Sequence, residues 1–294
     1  MKSHIVALIM ICSVQAVFAG GGWPQPKGKG FFKFSQSFLR ASQFFSLDGS
    51  TVDITTTSVY TTSLYGEYGF TNRLTGTLYA PLFIRSTINN QQSTINDVVV
   101  PGDSFNGPGD INLGIKYGIL TQGPIALSAS LILGLPVGDN VGGNTELLQT
   151  GDGEFNQLIQ LEASHSFYPA KFYATLSVGF NNRTSATFDY SVGEEEVEFS
   201  DEFHWGGEIG WLPTDRWTFA LKWAQIVSLN NGSTAGNTGS SSLFGNNVEY
   251  FSITPEINYS IADQWGVSLS AGGAISGRNI LAAPIINFGV FLNI

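Results

Sequence analysis

Few residues in this sequence could support catalysis. There are three histidines and one cysteine in 294 residues, and Cys12 lies in an N-terminal segment that we expect to be removed. His165 and His204 have no carboxylate or serine at a recognisable catalytic spacing, and Ser166 must point to the strand face opposite His165. No phosphate-binding glycine loop, nucleophile elbow or metal-spaced histidine pair occurs. The sequence predicts neither an enzyme nor a bound cofactor or metal. A membrane hydrolase that uses a serine and one of these histidines is a minor alternative.

The composition is typical of a β-rich membrane protein. Only 12% of the residues are charged, about half the usual share of a soluble domain. Glycine (35) and phenylalanine (22) are abundant. The formal net charge of -10 argues against a nucleic-acid partner, because binding to phosphates needs a basic surface. Without Cys12, neither a disulfide scaffold nor a cysteine-ligated zinc site is available.

The first twenty residues have the three parts of an export signal. Lys2 supplies the basic start, residues 5–14 are apolar, and Val17 and Ala19 are the small residues before a cleavage site. We therefore predict a signal peptide over 1–19 and a short periplasmic segment over 20–29. No later stretch reaches the roughly 20 apolar residues of a transmembrane helix.

Apolar and polar residues alternate along most of the remaining chain. In residues 111–119 the odd positions are apolar, while the even positions are polar or glycine. Because successive side chains of a strand point to opposite faces, each such run has one apolar and one polar face. We count twelve runs, over 30–45, 58–70, 73–86, 109–120, 124–136, 154–168, 171–184, 197–212, 216–228, 248–261, 264–276 and 283–294. Ten or fourteen strands would require one merged or split run, and residues 184–203 are the most ambiguous.

The connections between the runs are of two kinds. Short turns near 71–73, 121–123, 169–170, 213–215 and 262–264 alternate with longer polar stretches near 46–57, 87–108, 137–153, 185–196, 229–247 and 277–282. Aromatic residues flank most of the short turns, as in the interfacial girdle of a membrane barrel. The pattern predicts an all-β fold over 30–294, a transmembrane antiparallel β-barrel with short periplasmic turns and long extracellular loops.

The polar face of each run should line the barrel interior. An arginine or lysine that faces lipid near the midplane costs roughly 2–4 kcal/mol. The candidate lumen-lining residues are Asp110, Asn112, Lys116, Gln160, Glu162, Glu202, His204, Glu208 and Lys222. They could form an interior network that only holds the barrel in shape, or the wall of a pore that selects small solutes. Glycine and serine are frequent on the same face, and their small side chains predict free space inside the barrel.

Residues 107–139 resemble a known family. A Gly-x-Gly-Asp start (107–110) leads to an alternating strand that ends in Gly-Ile-Lys-Tyr (114–117), and an apolar strand then ends in Leu-Pro-Val-Gly-Asp (135–139). This element resembles outer-membrane barrels of the meta-pathway phenol-degradation (phenol MetA degradation) family, which are near relatives of FadL-like transporters. The resemblance implies a channel for small solutes, hydrophobic or aromatic ones among them. The ten or so residues before the first strand are too few for the plug domain of such relatives.

Two functions fit these observations. The first is a monomeric outer-membrane channel or passive transporter of small-molecule solutes. The alternative is a non-transporting anchor or surface protein that acts through its extracellular loops in adhesion or envelope integrity. Either protein would be exported to a bacterial outer membrane, inserted by the barrel assembly machinery, and surrounded by outer-membrane lipid and lipopolysaccharide. The acidic run at 193–198 would be a solvated loop, or a divalent-cation site that bridges lipopolysaccharide.

Overall fold

A computed structural model describes residues 21–92, 99–233 and 245–294. All the regular elements in these ranges are β-strands. Within them no helix is long and apolar enough to cross a membrane. The predicted signal peptide over 1–19 and its cleavage site lie outside the described residues.

The strands are of two kinds and are numbered together in chain order. Twelve long strands form one large sheet: β1 (Gly30–Phe45), β2 (Thr51–Gly69), β3 (Leu74–Ile88), β7 (Ile111–Leu120), β8 (Ile125–Leu135), β9 (Asn156–Ser166), β10 (Phe172–Arg183), β13 (Glu202–Trp211), β14 (Trp217–Ser228), β15 (Glu249–Ser260), β16 (Trp265–Arg278) and β18 (Ile285–Asn293). Six short strands belong to the connections: β4 (Gln91–Gln92), β5 (Val99–Val100), β6 (Asp103–Gly107), β11 (Ser185–Tyr190), β12 (Gly193–Glu198) and β17 (Ile280–Leu281).

The large sheet closes on itself. Each long strand pairs antiparallel with the next one along the chain, and β1 also pairs with β18. At the seam, Phe32 lies opposite Gly66 on one side and Leu292 on the other. The prediction of an all-β, closed antiparallel barrel of twelve strands is therefore confirmed. Closure leaves no unpaired sheet edge, which a membrane-spanning sheet requires.

Two of the predicted loops contain paired strands. In the stretch 87–108, β4 pairs with β5. The predicted loop 185–196 lies in a hairpin, in which β11 and β12 pair from Ser185 opposite Glu198 to Tyr190 opposite Gly193. This hairpin was not predicted because the charges of the run 193–198 mask its alternation. Glu194 and Glu196 are exposed, whereas Val197 is fully buried among the apolar side chains of the hairpin.

The two faces of the barrel wall differ as the alternation predicts. On β10, Leu176 and Val178 point outward and are 60% and 47% exposed. Thr175, on the inward face of the same strand, is 8% exposed. Near the short turns, outward aromatic rings touch one another around the wall, as between Trp217 and Tyr259, whose ring centroids are 4.6 Å apart. An apolar exterior with aromatic residues at one rim suits a surface in contact with lipid.

The interior is not uniform along the barrel axis. Toward the long-loop end, an apolar cluster fills the space beside the first three strands; its buried members are Leu39, Ala41, Val59, Ile84 and Leu281. Strand β17 contributes Leu281 by pairing with the end of β1. Toward the short-turn end, the inward side chains are charged and polar, and the candidate site lies among them.

Candidate functional site: the barrel interior

Three adjoining cavities lie inside the barrel. The first, of about 320 Å³, is bordered by strands that include β1, β2, β14, β15 and β18. The second, of about 380 Å³, lies against β3, β7, β8 and β9. The third, of about 320 Å³, lies against β9, β10, β13 and β14. The first two share Tyr65 and Tyr79, and the last two share Glu162, so the cavities are neighbours rather than separate pockets.

A first group of charges surrounds Lys116 on β7. Its Nζ lies 3.0 Å from Glu162 and 4.0 Å from Glu67, and it also donates a 2.8 Å hydrogen bond to the carbonyl oxygen of Gly21. The hydroxyl of Tyr65 donates to the carboxylate of Glu67. Lys116 and Glu67 are almost fully buried, at 4% and 1% exposure. Burial of a charge is tolerated when it is paired in this way.

The chain before β1 passes through this part of the interior. The N–H of Gly22 donates to Ser164 Oγ at 2.7 Å, and Ser128 Oγ donates to the Gly22 carbonyl at 2.6 Å. Farther along, Gln25 Nε2 donates to Glu67 at 2.9 Å. A Cβ atom on Gly22 would lie 2.7 Å from the carbonyl oxygen of Ala126, so only glycine fits against the wall here. We call residues 21–29 the inner segment, because it occupies space at the short-turn end of the barrel.

A second group of charges is centred on Glu256 of β15. Lys222 Nζ lies 3.1 Å and Lys33 Nζ lies 3.4 Å from the same oxygen of Glu256. Lys222 is also 3.7 Å from Glu208, which accepts a hydrogen bond from the hydroxyl of Tyr173. The two lysines reach Glu256 from different parts of the wall, because Lys33 is on β1 and strands β16 and β18 lie between.

A third group joins the barrel to its long loops. Arg183, at the end of β10, makes ion pairs of 2.9, 2.7 and 2.9 Å with Asp152, Glu154 and Glu202. Its guanidinium also lies 4.4 Å from the ring centroid of Phe199. These contacts connect the loop after β8 and the β11–β12 hairpin to the strand ends. We call residues 139–153 and 184–200 together the outer lobe.

Asp201 shows the same anchoring in a loop outside the barrel strands. Burial acts to raise the pKa of its carboxyl group. Hydrogen bonds from the backbone N–H of Arg183 and from the side-chain amides of Asn231 and Asn182 outweigh that effect and lower the pKa below its usual value. The carboxylate therefore holds three chain segments together.

The predicted lumen residues fall in three places. Those that border the second cavity are Asn112, Lys116, Gln160, Glu162 and His204, and those that border the first and third are Glu208 and Lys222. Glu202 is 7% exposed and accepts hydrogen bonds from Arg183, Asn181 and His204. Asp110 accepts hydrogen bonds from the backbone N–H groups of 137, 138 and 152, so it fixes the loop after β8.

Several interior residues and the path of the inner segment were not predicted from the sequence. Lys33 and Glu256 occupy inward positions of two alternating runs, so the alternation alone is enough to indicate them. Arg183 lies where a strand meets a loop, so periodicity gave no signal. The contacts of Gly21, Gly22 and Gln25 with the wall join residues 42 to 142 positions apart in the chain, and no local pattern indicates them.

The two histidines in the described part of the chain make different contacts. His165 Nδ1 lies within hydrogen-bond distance of the Pro124 carbonyl, and its ring packs edge-on against Phe167 with centroids 4.5 Å apart. His204 Nε2 lies 2.8 Å from Glu202. Within the described ranges, no group of three or more histidine, cysteine, aspartate or glutamate side chains is arranged to hold a metal ion.

A closed antiparallel barrel with an apolar exterior and a charged interior is the architecture of outer-membrane barrels. No family model and no curated protein matches the sequence. Solved structures do match. The COG4313 outer membrane channel from Pseudomonas putida F1 is similar with a TM-score of 0.65 and 14% identity, over 95% of this chain and 100% of that one.

Two further structures share the architecture less closely. The NanC porin has a TM-score of 0.51 and 8% identity, over 90% of this chain and 100% of that chain. The β domain of the Bordetella autotransporter BrkA has a TM-score of 0.50 and 13% identity, over 91% and 100%. At such low identity these likenesses establish the fold, and function has to be argued from the interior.

Proposed function

We propose that this protein is a channel in a bacterial outer membrane that lets small solutes pass without energy input. The observation that carries the proposal is the chain of three adjoining cavities inside a closed barrel, bordered by charged and polar side chains. A barrel that served only as an anchor could fill its interior with packed side chains, as small barrels of about eight strands do. The matches to an outer-membrane channel and to a porin agree with this function.

The channel is narrow rather than freely open. The inner segment is hydrogen-bonded to the wall at the short-turn end, and the apolar cluster around Leu39 and Val59 fills part of the other end. Passage of a solute then depends on the space that the inner segment and the apolar cluster leave open, or open by moving. We expect the monomer to conduct weakly and to open further when the inner segment is displaced.

The class of solute is inferred from the family resemblance and from the lining of the cavities. The resemblance of residues 107–139 to the phenol-degradation family favours hydrophobic or aromatic cargo, while the lining contains lysines and glutamates in every cavity. A solute that combines an aromatic ring with a polar or charged group agrees with the resemblance and with the charged lining. A purely apolar solute would have to displace water from the charged wall, at a cost in free energy.

The test is passage through reconstituted protein. Liposomes that contain the refolded full chain should swell in gradients of small neutral sugars and amino acids, and planar bilayers should show discrete conductance steps. The same measurements on a variant that lacks residues 21–27 should give faster swelling. If neither form conducts or permits swelling, the channel function is wrong, and an anchor that acts through the outer lobe takes its place.

One observation favours that second candidate. The outer lobe has a small apolar core of its own, formed by Ala186, Phe188, Val197 and Phe199, and it is fixed to the strand ends by Arg183. A loop that is ordered in this way can present a fixed surface to a partner. A binding role for the lobe is compatible with conduction, so the swelling measurement decides only whether the barrel is also a channel.

A further inference from the structure

The first cavity has a charged wall and an aromatic wall. Lys33 and Lys222 lie on the charged side, around Glu256. Phe31, Tyr65, Tyr79 and Phe291 supply the rings of the other side. The two walls meet at Lys33, which is the direct cross-strand partner of Tyr65, and Tyr65 is in turn the partner of Tyr79. An ammonium group and two aromatic rings thus stand side by side along three neighbouring strands.

The two ammonium groups share one acceptor. Lys33 and Lys222 both donate to Oε2 of Glu256, at 3.4 and 3.1 Å, while the other oxygen accepts from Asn258 at 2.9 Å. Each ammonium carries three N–H donors. Lys222 also lies 3.7 Å from Glu208, which borders the same cavity. The donors that these contacts with Glu256 and Glu208 leave over can bind a further anion between the two lysines. A carboxylate is suited to this position, because charge-assisted hydrogen bonds to it are short and strong.

The cavity wall also leaves room for Lys33. A Cβ atom on Gly289, a residue of the adjacent strand β18, would lie 2.6 Å from Cε of Lys33. A side chain at this position would therefore displace the lysine.

We propose that the first cavity is a binding site for a small aromatic carboxylate. The carboxylate lies between the ammonium groups of Lys33 and Lys222, and the ring packs against Tyr65 and Tyr79. The cavity of about 320 Å³ is at the lower end of the range of small-molecule pockets, which suits a single ring. The inference rests on the proposed channel function, since the site would select solutes on the path through the barrel.

Binding is measured on the full chain in detergent micelles by isothermal titration calorimetry with 4-hydroxybenzoate. Saturable binding is expected, at least ten times tighter than that of 4-hydroxybenzyl alcohol, which lacks the carboxylate. Lys33→Met and Lys222→Met should each weaken binding at least fivefold. Lys171→Met, at an exposed lysine of a short turn, is the matched control and should leave the affinity unchanged.

Glu256→Gln should strengthen binding, whereas the two lysine variants should weaken it. The substitution removes the carboxylate that competes for both ammonium groups, so binding of 4-hydroxybenzoate should tighten at least threefold. A gain of affinity cannot arise from misassembly, which guards against the loss of structure that Lys33→Met could cause. Migration of the folded barrel in unheated gels verifies assembly of each variant.

The site is refuted if the wild-type protein shows no saturable binding, if Lys171→Met weakens binding as much as Lys222→Met, or if Glu256→Gln leaves the affinity unchanged. Liposome swelling with neutral sugars tests the channel independently. Swelling without binding overturns the site alone. Binding without swelling in any variant supports the site and overturns the channel.

Discussion

The Nζ atom of Lys116 lies 2.8 Å from the carbonyl oxygen of Gly21, although 95 residues separate them in the chain. The same ammonium group is paired with Glu162 and Glu67. One lysine thereby joins the wall of the barrel to the segment that runs inside it. The inner segment occupies space at the short-turn end, so its position there depends in part on this charged residue of the wall.

Displacement of the inner segment should widen the channel. In Gly22→Val the new side chain would collide with backbone atoms of the wall, since a Cβ atom there lies 2.7 Å from one carbonyl oxygen and 2.8 Å from another. We expect single-channel conductance to rise severalfold. Lys29→Ala, at an exposed residue of the same segment, should conduct like the wild type. Equal conductance of Gly22→Val and wild type would show that the segment does not limit passage.

The interior charges predict a mild preference for cations. The first two groups of charges contain three lysines (33, 116 and 222) and four glutamates (67, 162, 208 and 256), which gives a net charge of -1. Glu162→Gln should shift the reversal potential in a potassium chloride gradient toward anion preference. Glu196→Gln, on the exposed side of the β11–β12 hairpin, should not shift it. A shift of the same size in both variants would contradict the assignment of Glu162 to the conducting path.

Asp110 should act on a loop rather than on selectivity. Its carboxylate accepts hydrogen bonds from three backbone N–H groups, of 137, 138 and 152. Hydrogen bonds to a charged group contribute about 1.5–3 kcal/mol, so Asp110→Asn should loosen residues 137–152 and speed their cleavage by an added protease. Ion selectivity should stay as in the wild type. Altered selectivity with an unchanged cleavage rate would place Asp110 on the pore wall instead.

Arg183 should be among the most sensitive positions at the long-loop end of the barrel. Arg183→Met leaves Asp152, Glu154 and Glu202 close together without their shared cation. Loss of one partner from a buried charge group costs roughly 3–5 kcal/mol, which chemical unfolding in micelles can measure. Arg278→Met is the control, because that arginine forms an exposed pair with Glu249, of about 0 to 1 kcal/mol. Similar losses in both variants would contradict the central role of Arg183.

Two adjacent residues test which face of the wall meets lipid. Val178 is 47% exposed on the outside of β10, and Ser177 borders the third cavity. Val178→Arg should lower the free energy of unfolding in lipid by roughly 2–4 kcal/mol, the cost of a lipid-facing arginine near the midplane. Ser177→Arg should cost less, because the third cavity offers space and the carboxylates of Glu162 and Glu208. The reverse order would mean that the inside and outside of the barrel have been exchanged.

The sequence by itself determined the strands and their two faces. Runs of alternating residues such as 111–119 specify a strand with one face for lipid and one for the interior, because side chains of a strand alternate strictly. The alternation of short and long connections then fixed an antiparallel order of neighbours and an even number of strands. The alternation and the lengths of the connections are local properties, so they can be recognised in the sequence without knowledge of the tertiary structure.

Only the tertiary structure decided which inward residues meet. Lys33 reaches Glu256 across two intervening strands, Lys116 meets Gly21, and Arg183 pairs with carboxylates of the loop after β8 and of strand β13. These contacts depend on the register of twelve strands and on the closure of the barrel, which bring together side chains far apart in sequence. The hairpin over 185–198 was missed because the glutamates of 193–198 mask its alternation, while its stability comes from tertiary packing among Phe188, Val197 and Phe199.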